Sequence, residues 1–404
     1  MLITLILSSI ALLIALYLII TLYLKCKMPF WSKQPVFHIY NLLYWLRPPG
    51  IINTDLPLIN KYVDLFHIKT FSLTELSEKR EALLTSICNF IKNNYIVRKN
   101  NSVKHNDTRY TPTKNNITDY LEASNHESYF SVYQVPKLLL NKSEPEACIE
   151  DIVAVISIRP LNIRFSKRSS PIYYVDNLCV QPAYRKQNIA STMIQTHHYN
   201  LRRQNTIINT YLFKREGQLN AIVPLVVFNT YCISLQFITD VSIHMPPSIN
   251  FIEIGIAQLH LLVDFIKVQS QPFMCVILPD VSSLANLIKT ENIKVYALIE
   301  ENSIIACYVF RLIELYYDGQ KTVECICMLS NCNPIIFCEG FALACKALKQ
   351  VQLVLIEDTA HANIIIDKIT TSNVSICKFI SPTAFFLYNY ACYSIKKNEF
   401  LIIY

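Results

Sequence analysis

Residues Ile172 to Arg203 decide the fold of this chain, and they read IYYVDNLCV (172–180), QPAY (181–184) and RKQNIASTMIQTHHYNLRR (185–203). The first run is rich in β-branched and aromatic residues and predicts a strand. The second predicts a short turn, and the third begins with basic residues and continues as a helix. Because the first turn of a helix has free N–H groups and a positive dipole end, this order suits a pyrophosphate group.

The basic turn also has side chains that suit phosphate. Arg185 and Lys186 add positive charge, and the small residues Asn188 and Ala190 let phosphates approach the backbone. The turn resembles the acyl-CoA signature of GNAT acyltransferases, R/Q-x-x-G-x-G/A, with asparagine in place of the first glycine. The alternative is an ordinary strand–loop–helix connection with a solvated basic turn. On the resemblance, the residues that bind acyl-CoA are Cys179, Val180, Arg185, Lys186, Gln187, Asn188, Ile189 and Ala190.

The composition is that of a packed globular protein long enough for two domains. Hydrophobic residues make up 52% of the 404 residues and charged residues 17%, which leaves little room for disorder. The net charge of +7 is spread along the chain without a dense basic run, which argues against nucleic-acid binding. Only 5 glycines occur, a bias that we attribute to an AT-rich genome such as that of a virus or parasite. Where the backbone needs a positive φ, we therefore expect asparagine.

The N-terminal residues predict a membrane anchor. Leu2 to Leu24 is an apolar run without charge, long enough to cross a bilayer. A cleaved signal peptide is the alternative, but no basic segment precedes the run and no small-residue cleavage site follows it. Lys25, Lys27, Lys33 and Arg47 follow the run, so the positive-inside rule predicts an outside N-terminus and a catalytic body in the cytosol. We expect a single-pass membrane protein.

The 14 cysteines predict neither a disulfide framework nor a metal site. Most lie scattered in apolar stretches, as buried reduced thiols do. Cys325, Cys327, Cys332 and Cys338 form a cluster, but it lacks paired C-x-x-C spacing and a nearby histidine. We therefore expect no metal.

The rest of the chain predicts helices and strands in two successive units. Strands are expected at Ile152–Ile158 and Ile172–Val180, and a helix follows from Ile189 to about Arg203. After Met245-Pro246-Pro247, which marks a boundary, the order of helix, meandering strands, helix and strand is repeated. This repetition predicts a duplicated α/β (α+β) fold with mixed central sheets. The expected divisions are an anchor at 1–27, an N-terminal half at 28–244 with a mobile polar loop at 98–128, and a C-terminal half at 245–404.

Several short segments resemble the glycylpeptide N-myristoyltransferase family in the same order along the chain. FWSKQPV at 30–36 is similar to the family's F-W-x-T-Q-P-V, and NNYI at 93–96 to its N-E-N-Y-V. IVAVISIRPLNI at 152–163 is similar to L-V-G-F-I-S-A-I-P-A-N-I. Near the C-terminus, FFLYNYAC at 385–392 is similar to Y-Y-L-Y-N-W-K-C. The shared order and spacing extend from Met28 to the last residue.

The resemblance implies two fused GNAT-like halves, with acyl-CoA in the N-terminal half and an acceptor peptide mainly in the C-terminal half. It implies transfer of myristoyl from CoA to an N-terminal glycine. In the family, two backbone N–H groups form the oxyanion hole, and here they belong to Asn177 and Leu178. The family's base is the C-terminal carboxylate, which here is that of Tyr404. The alternative is that the apolar tail ending at Tyr404 is simply an edge strand of the sheet. Phe30 and Trp31 contact the ligand or, alternatively, anchor their own segment.

Departures from the family keep other functions open. The loop at 98–128 is basic where the family's is acidic, and the family's pocket histidine has no counterpart around 327–331. The chain is alternatively a tandem GNAT N-acetyltransferase that uses a short acyl-CoA, or a degenerate, non-catalytic membrane-bound homologue. A long apolar cavity behind Asn177 and Leu178 favours myristoyl. His197-His198 are adjacent on a helix and point in different directions, so we expect them on the surface or in helix packing.

Overall fold

A computed structural model describes residues 2–46, 50–95, 108–136, 150–166, 168–217, 221–240, 242–372 and 376–404. Its helices are α1 Leu2–Lys27, α2 Leu42–Leu46, α3 Leu73–Lys79, α4 Glu81–Asn94, α5 Lys114–Thr118, α6 Ile189–Gln204, α7 Leu235–Thr239, α8 Leu259–Gln269, α9 Val281–Lys289, α10 Pro334–Ala347 and α11 Ala362–Ser372. Its strands are β1 Gly50–Ile51, β2 Ile68–Ser72, β3 Thr108–Tyr110, β4 Tyr129–Pro136, β5 Glu150–Phe165, β6 Arg168–Val180, β7 Tyr211–Glu216, β8 Val226–Ser234, β9 Ile249–Glu253, β10 Cys275–Leu278, β11 Ile293–Glu300, β12 Ser303–Tyr317, β13 Gln320–Ser330, β14 Leu353–Glu357, β15 Cys377–Tyr388, β16 Tyr390–Ala391 and β17 Phe400–Ile402.

Within the described ranges, 15 strands form one mixed sheet. Its main order is β17-β10-β5-β6-β7-β15-β8-β14-β13-β12-β11-β9, with β4 and then β2 extending from β5, and β3 from β12. The parallel pairs are β6–β7, β13–β14 and β10–β17, and the other pairs are antiparallel. The mixed α/β class that the sequence predicts is confirmed.

The sheet runs across the expected division between the halves. β15 comes from the C-terminal half of the chain, yet it lies between β7 and β8 of the N-terminal half. β10 likewise pairs with β5. The two halves therefore share one layer, and the boundary between residues 244 and 245 remains a prediction from the sequence.

The last residues of the chain run into the protein interior. β17 lies parallel to β10, and the Ile403 N–H donates to the Ile277 carbonyl at 2.9 Å. Pairing places β17 at the end of the sheet, yet Phe400 to Tyr404 are at most 1% exposed. Burial of each large apolar side chain contributes roughly 1.5–3 kcal/mol, which is why this tail is drawn into the core.

α1 is long and apolar enough to cross a membrane. It has 26 residues and none of them is buried, and two lysines, Lys25 and Lys27, lie in its last turn. At a rise of 1.5 Å per residue it is about 39 Å long, against ~30 Å for the hydrocarbon core of a bilayer.

Residues 108–128 differ from the mobile loop that the sequence predicts. β3 pairs with β12, and α5 begins with a capping box. Ile117, Tyr120 and Leu121 are buried, and these few apolar side chains hold an otherwise polar segment against the body. The loop expectation is therefore corrected for this part, because tertiary packing overrides local polarity. Residues 98–107 of the expected loop lie outside the described residues.

Candidate active site

A V-shaped gap opens in the centre of the sheet between β6 and β7. These parallel neighbours pair at two positions, where Tyr173-Tyr174 meet Tyr211-Leu212. Beyond them β6 continues to Val180 beside β5, and β7 continues to Glu216 beside β15. Since each strand follows a different partner, the two diverge and leave room between them.

The register between β5 and β6 shifts where this gap opens. Ser157 pairs with Asn177 and Ile158 with Val175, so Asp176 is an extra residue on β6. An extra residue of this kind is a β-bulge, which bends the strand and takes backbone groups out of the ladder. The bulge therefore lies next to the two N–H groups that the sequence predicts as an oxyanion hole.

A buried ion pair holds the bulge in place. Arg159 Nε donates to Asp176 Oδ2 at 2.5 Å, with 2% and 9% of the two side chains exposed. The same guanidinium lies over the Tyr174 ring at 5.2 Å. On the next residue, Asn177 Nδ2 donates to Ser157 Oγ at 3.0 Å. The bulge is thus fixed by side chains on both sides of it.

A cavity of about 370 Å³ occupies the gap between β6, β7 and α6. Its size falls within the ~300–1,000 Å³ of small-molecule pockets. Asp176, Lys214 and Arg215 form the charged part of its wall. Most of the remaining lining is aliphatic or aromatic, from Trp31, Tyr95, Ile156, Val175, Leu178, Ile194, Tyr211, Phe213 and Tyr388. The cavity therefore provides an apolar space behind Leu178.

His197 and His198 both line this cavity. Burial lowers the pKa of each imidazole to about 3, so both are neutral at physiological pH. His197 Nδ1 shares a hydrogen bond with Ser131 Oγ at 2.7 Å. The His198 ring packs edge-on against Tyr211 and Tyr388 at 5.4 and 5.0 Å. The packing role expected from the sequence is present. The two side chains were also expected to point in different directions, yet both line the same cavity.

The turn before α6 has the backbone that the acyl-CoA signature needs. Asn188, which stands at the position of the first glycine, has φ 62° and precedes the first helical residue, Ile189. Asparagine tolerates this left-handed region better than most residues. The expected use of asparagine at positive φ holds at Asn188, Asn302 and Asn389, but the other eight non-glycine residues with positive φ in the described ranges, Lys186 among them, are not asparagine.

Arg185 is fixed at the end of β6. Its Nε donates to the Val180 carbonyl at 3.0 Å and its Nη2 to the Asn94 carbonyl at 2.9 Å. The side chain is exposed, as are those of Lys186 and Gln187. Because both partners are neutral carbonyls, the positive charge of the guanidinium is still available to an anion. The free N–H groups of the first turn of α6, which contains Ile189 and Ala190, lie next to it in the sequence.

Of the other residues predicted to bind acyl-CoA, Trp31 lines the cavity, whereas Phe30, Cys179 and Val180 do not. Trp31 lines the cavity and stacks on Phe213 at 5.8 Å. Phe30 is buried against the Tyr62 ring at 5.1 Å and does not line the cavity. Cys179 packs with the core beneath α4, where burial raises the pKa of its thiol to about 12. Val180 offers its carbonyl to Arg185, and its side chain packs in the same apolar cluster as Ile189.

The terminal residue, Tyr404, lies close to the cavity. Its ring contacts the Tyr174 ring at 5.2 Å, and its hydroxyl donates to Glu357 Oε1 at 2.5 Å. Lys214, which lines the cavity, donates from Nζ to the same Glu357 oxygen at 2.6 Å and to the Tyr404 hydroxyl at 3.0 Å. One side chain therefore joins the cavity to the chain terminus.

Charges around Tyr404 fix its position. Burial opposes the charge on Lys214, but the attractions to Glu357, Tyr404, Glu324 and Glu216 together outweigh it and hold the pKa of Lys214 well above its usual range. Arg311 lies over the Tyr404 ring at 5.2 Å and pairs with Glu324 at 3.6 Å. Sequence reasoning missed Lys214, Glu357 and Arg311, because nothing in the spacing of residues so far apart indicates contact.

Metal binding has no structural support in the described parts of the chain. There, no group of three or more His, Cys, Asp or Glu side chains is placed to hold an ion. Burial raises the pKa of the Cys325 and Cys327 thiols well above their usual range.

Comparison with known proteins gives matches among solved structures. No protein-family model and no curated protein matches the chain. One structure of Saccharomyces cerevisiae N-myristoyltransferase with bound myristoyl-CoA is 12% identical, with a TM-score of 0.65 over 92% of this chain and 90% of its own. A second is 13% identical, with a TM-score of 0.63 over 91% and 94%. A third, with myristoyl-CoA and inhibitors, is 14% identical, with a TM-score of 0.66 over 93% and 94%.

Identities this low show the fold alone. The matches nevertheless cover more than nine-tenths of this chain, and so include both halves. The chain therefore has the fold of N-myristoyltransferases, as its sequence motifs predict.

Proposed function

We propose that this protein is an acyl-CoA-dependent N-acyltransferase that transfers myristoyl from CoA to the N-terminal glycine of an acceptor protein. The observation that carries the proposal is the apolar cavity in the β6–β7 gap, which lies between a β-bulge and the buried chain terminus. A site for a thioester requires these three features together: space for the acyl chain, donors for the carbonyl oxygen and a base for the amine.

The proposed course of acyl-CoA follows the elements in order. The pyrophosphate lies on the first turn of α6, between Arg185 and Ala190. The pantetheine arm runs back along β6 from Val180, so that the thioester reaches Asn177 and Leu178. The acyl chain then enters the cavity. β6 supports this path because it connects the turn directly to the bulge.

In the proposed reaction, the Tyr404 carboxylate takes a proton from the ammonium group of the acceptor glycine. The free amine attacks the thioester carbonyl, and the N–H groups of Asn177 and Leu178 stabilise the oxygen as it becomes negative. A C–N bond forms and the C–S bond breaks, and the second proton of the amine passes to the departing sulfur, so that CoA leaves as the thiol. A backbone oxyanion hole does not depend on side-chain identity, so asparagine at position 177 is compatible with it.

The cavity favours a fatty acyl group over acetyl. An acetyl group would leave this largely apolar space unfilled, whereas a long hydrocarbon chain would cover its aromatic and aliphatic wall. The neutral state of His197 and His198 also suits a chain without charge. The family's acceptor class, a peptide with N-terminal glycine bound mainly in the C-terminal half, is part of the proposal.

The direct test is acyl transfer by the purified full-length chain in detergent. We expect native mass spectrometry to find co-purified acyl-CoA, and peptides with N-terminal glycine to gain a myristoyl group from myristoyl-CoA. Matched peptides with a blocked amine should gain none. Transfer from acetyl-CoA alone would favour the short-chain alternative, and bound acyl-CoA without transfer to any peptide would favour the degenerate one.

The acyl-CoA turn gives a separate prediction. Arg185→Glu should weaken acyl-CoA binding by about 2–3 kcal/mol, or roughly 30- to 150-fold, because it removes a charge-assisted phosphate contact and adds a repulsive charge. Isothermal calorimetry measures the change. Lys349→Glu, the same charge reversal at an exposed residue outside the site, should leave the affinity unchanged. Equal affinity in the Arg185 variant would contradict the assignment.

We also propose that α1 spans a membrane with its N-terminus outside and the body in the cytosol. The support is the helix itself and the lysines in its last turn, Lys25 and Lys27.

A further inference from the structure

Two segments beside α1 expose large apolar side chains. The first is α2, in which Leu46 is 82% exposed; the second is residues 54–66, in which Leu58 and Phe66 are 81% and 80% exposed. Contiguous exposed apolar surface on a protein marks an interaction site. We call α2 and residues 54–66 together the interfacial face.

Tyr40, two residues before α2, contacts the C-terminal half of α1. The Tyr17 hydroxyl donates to the Tyr40 carbonyl at 2.6 Å, and Lys25 Nζ lies 5.7 Å from the centre of the Tyr40 ring. Tyr17 and Lys25 are separated by about 12 Å along the helix axis. Tyr40 therefore lies between them, and α2 begins two residues later at Leu42.

α2 is also held firmly to the body. Trp45 Nε1 donates to the Ile39 carbonyl at 3.1 Å, and the Tyr393 hydroxyl donates to the Trp45 carbonyl at 2.8 Å. The Trp45 and Tyr393 rings stack at 6.1 Å, and Phe37 packs on Trp45 at 4.8 Å. The apolar side chains of α2 are thus presented by a fixed element.

Residues 54–66 are anchored at the end of α1. The Tyr62 ring contacts Phe30, three residues beyond α1, at 5.1 Å. On the other side, Arg202 and Arg203 of α6 donate from Nη2 to the Thr54 and Pro57 carbonyls at 2.9 and 3.0 Å. The two parts of the interfacial face are therefore connected, through Tyr40 and Tyr62, to residues in α1 or just beyond its end.

We infer that the interfacial face rests in the lipid bilayer, so that the body lies on the membrane and is not merely tethered to it. With α1 across the bilayer and Lys25 at the phosphate level, Tyr40 lies at or below that level, and α2 begins two residues further along the chain. Tryptophan and leucine side chains suit the boundary between headgroups and acyl chains, where a helix is typically buried ~5–10 Å. This inference rests on the membrane-spanning role of α1 and does not depend on acyl transfer.

The test uses the full-length chain with Trp45 as its sole tryptophan, made by Trp31→Phe. The protein is reconstituted into phosphatidylcholine vesicles whose acyl chains carry bromine, which quenches tryptophan fluorescence on close approach. We expect at least about twofold quenching relative to unbrominated vesicles, because Trp45 would lie within ~5–10 Å of the acyl-chain boundary. Emission should also shift to shorter wavelength.

The matched control carries its tryptophan away from the interfacial face. It combines Trp31→Phe, Trp45→Phe and Phe237→Trp, since Phe237 on α7 is 55% exposed and Trp45 is 43% exposed. Its fluorescence should be unaffected by bromine. Protein that floats with the vesicles but shows no quenching at position 45 would overturn the interfacial face while leaving α1 as an anchor. Protein that fails to float would overturn both.

Discussion

Two residues added after Tyr404 should lower the rate of acyl transfer by ~100-fold or more, the typical effect of misplacing a catalytic group. The group that we propose as base is the α-carboxylate of Tyr404, a type of group whose ordinary pKa in water is about 3.5. Each added residue moves it by up to roughly 3.3 Å. Tyr404 is 1% exposed and held by Lys214 and Glu357, so the side chain cannot follow a displaced carboxylate.

A carboxamide at the C-terminus is the sharper variant, because it removes the charge without lengthening the chain. Prepared by ligation of the amidated tail, it should lose turnover to a similar extent. Affinity for acyl-CoA should remain, since the pyrophosphate turn lies at the far end of β6. The rate is measured in single turnover and the melting temperature is recorded for each variant. Full turnover by the well-folded amidated protein would exclude Tyr404 as the base.

The stability of the protein should fall as the pH drops below 6.5, because His197 and His198 are buried in the neutral form. Burial lowers the pKa of each from 6.5 to about 3 in the folded state. Between these values the unfolded chain binds protons that the folded chain does not, so unfolding becomes more favourable with acid. At pH 5 the loss is about 2 kcal/mol for each histidine relative to pH 8. Against a typical total of ~5–15 kcal/mol, this is a large effect.

Chemical denaturation at pH 8 and at pH 5 measures this loss. The control is the double variant His197→Gln and His198→Gln, which keeps a polar side chain at both positions but cannot titrate in this range. Between pH 8 and pH 5, the free energy of unfolding of this variant should fall by about 4 kcal/mol less than that of the unchanged chain. Identical pH dependence in both proteins would show that the two imidazoles titrate normally.

The local structure of the acyl-CoA turn follows from residues that are close in sequence. A β-rich run ending at Val180, a short turn and a helix beginning at Ile189 appear in the structure as the sequence predicts. Asn188 takes the left-handed backbone expected where the signature has glycine. Such features depend on propensity and capping within a few residues, which is why sequence alone reveals them.

Of the two apolar ends of the chain, the sequence predicts a helix for the N-terminal run, whereas it leaves the C-terminal tail open between a core strand and an edge strand. An uncharged run as long as Leu2 to Leu24 forms a helix with no buried residue, and an apolar tail such as Phe400 to Tyr404 is buried. Hydrophobicity predicts only that such a tail avoids water. The identity of the buried neighbours does not follow from it.

Tertiary structure alone decided how the site is assembled. The gap between β6 and β7 exists because β6 follows β5 while β7 follows β15, a strand from the far end of the chain. Lys214, Glu357 and Tyr404 meet although 143 and 47 residues separate Glu357 from the other two. Contacts between distant residues depend on strand pairing across the whole sheet, which has no local signature. Sequence therefore predicted the strand, turn and helix from 172 to 203, and the fold decided which side chains line the cavity and surround Tyr404.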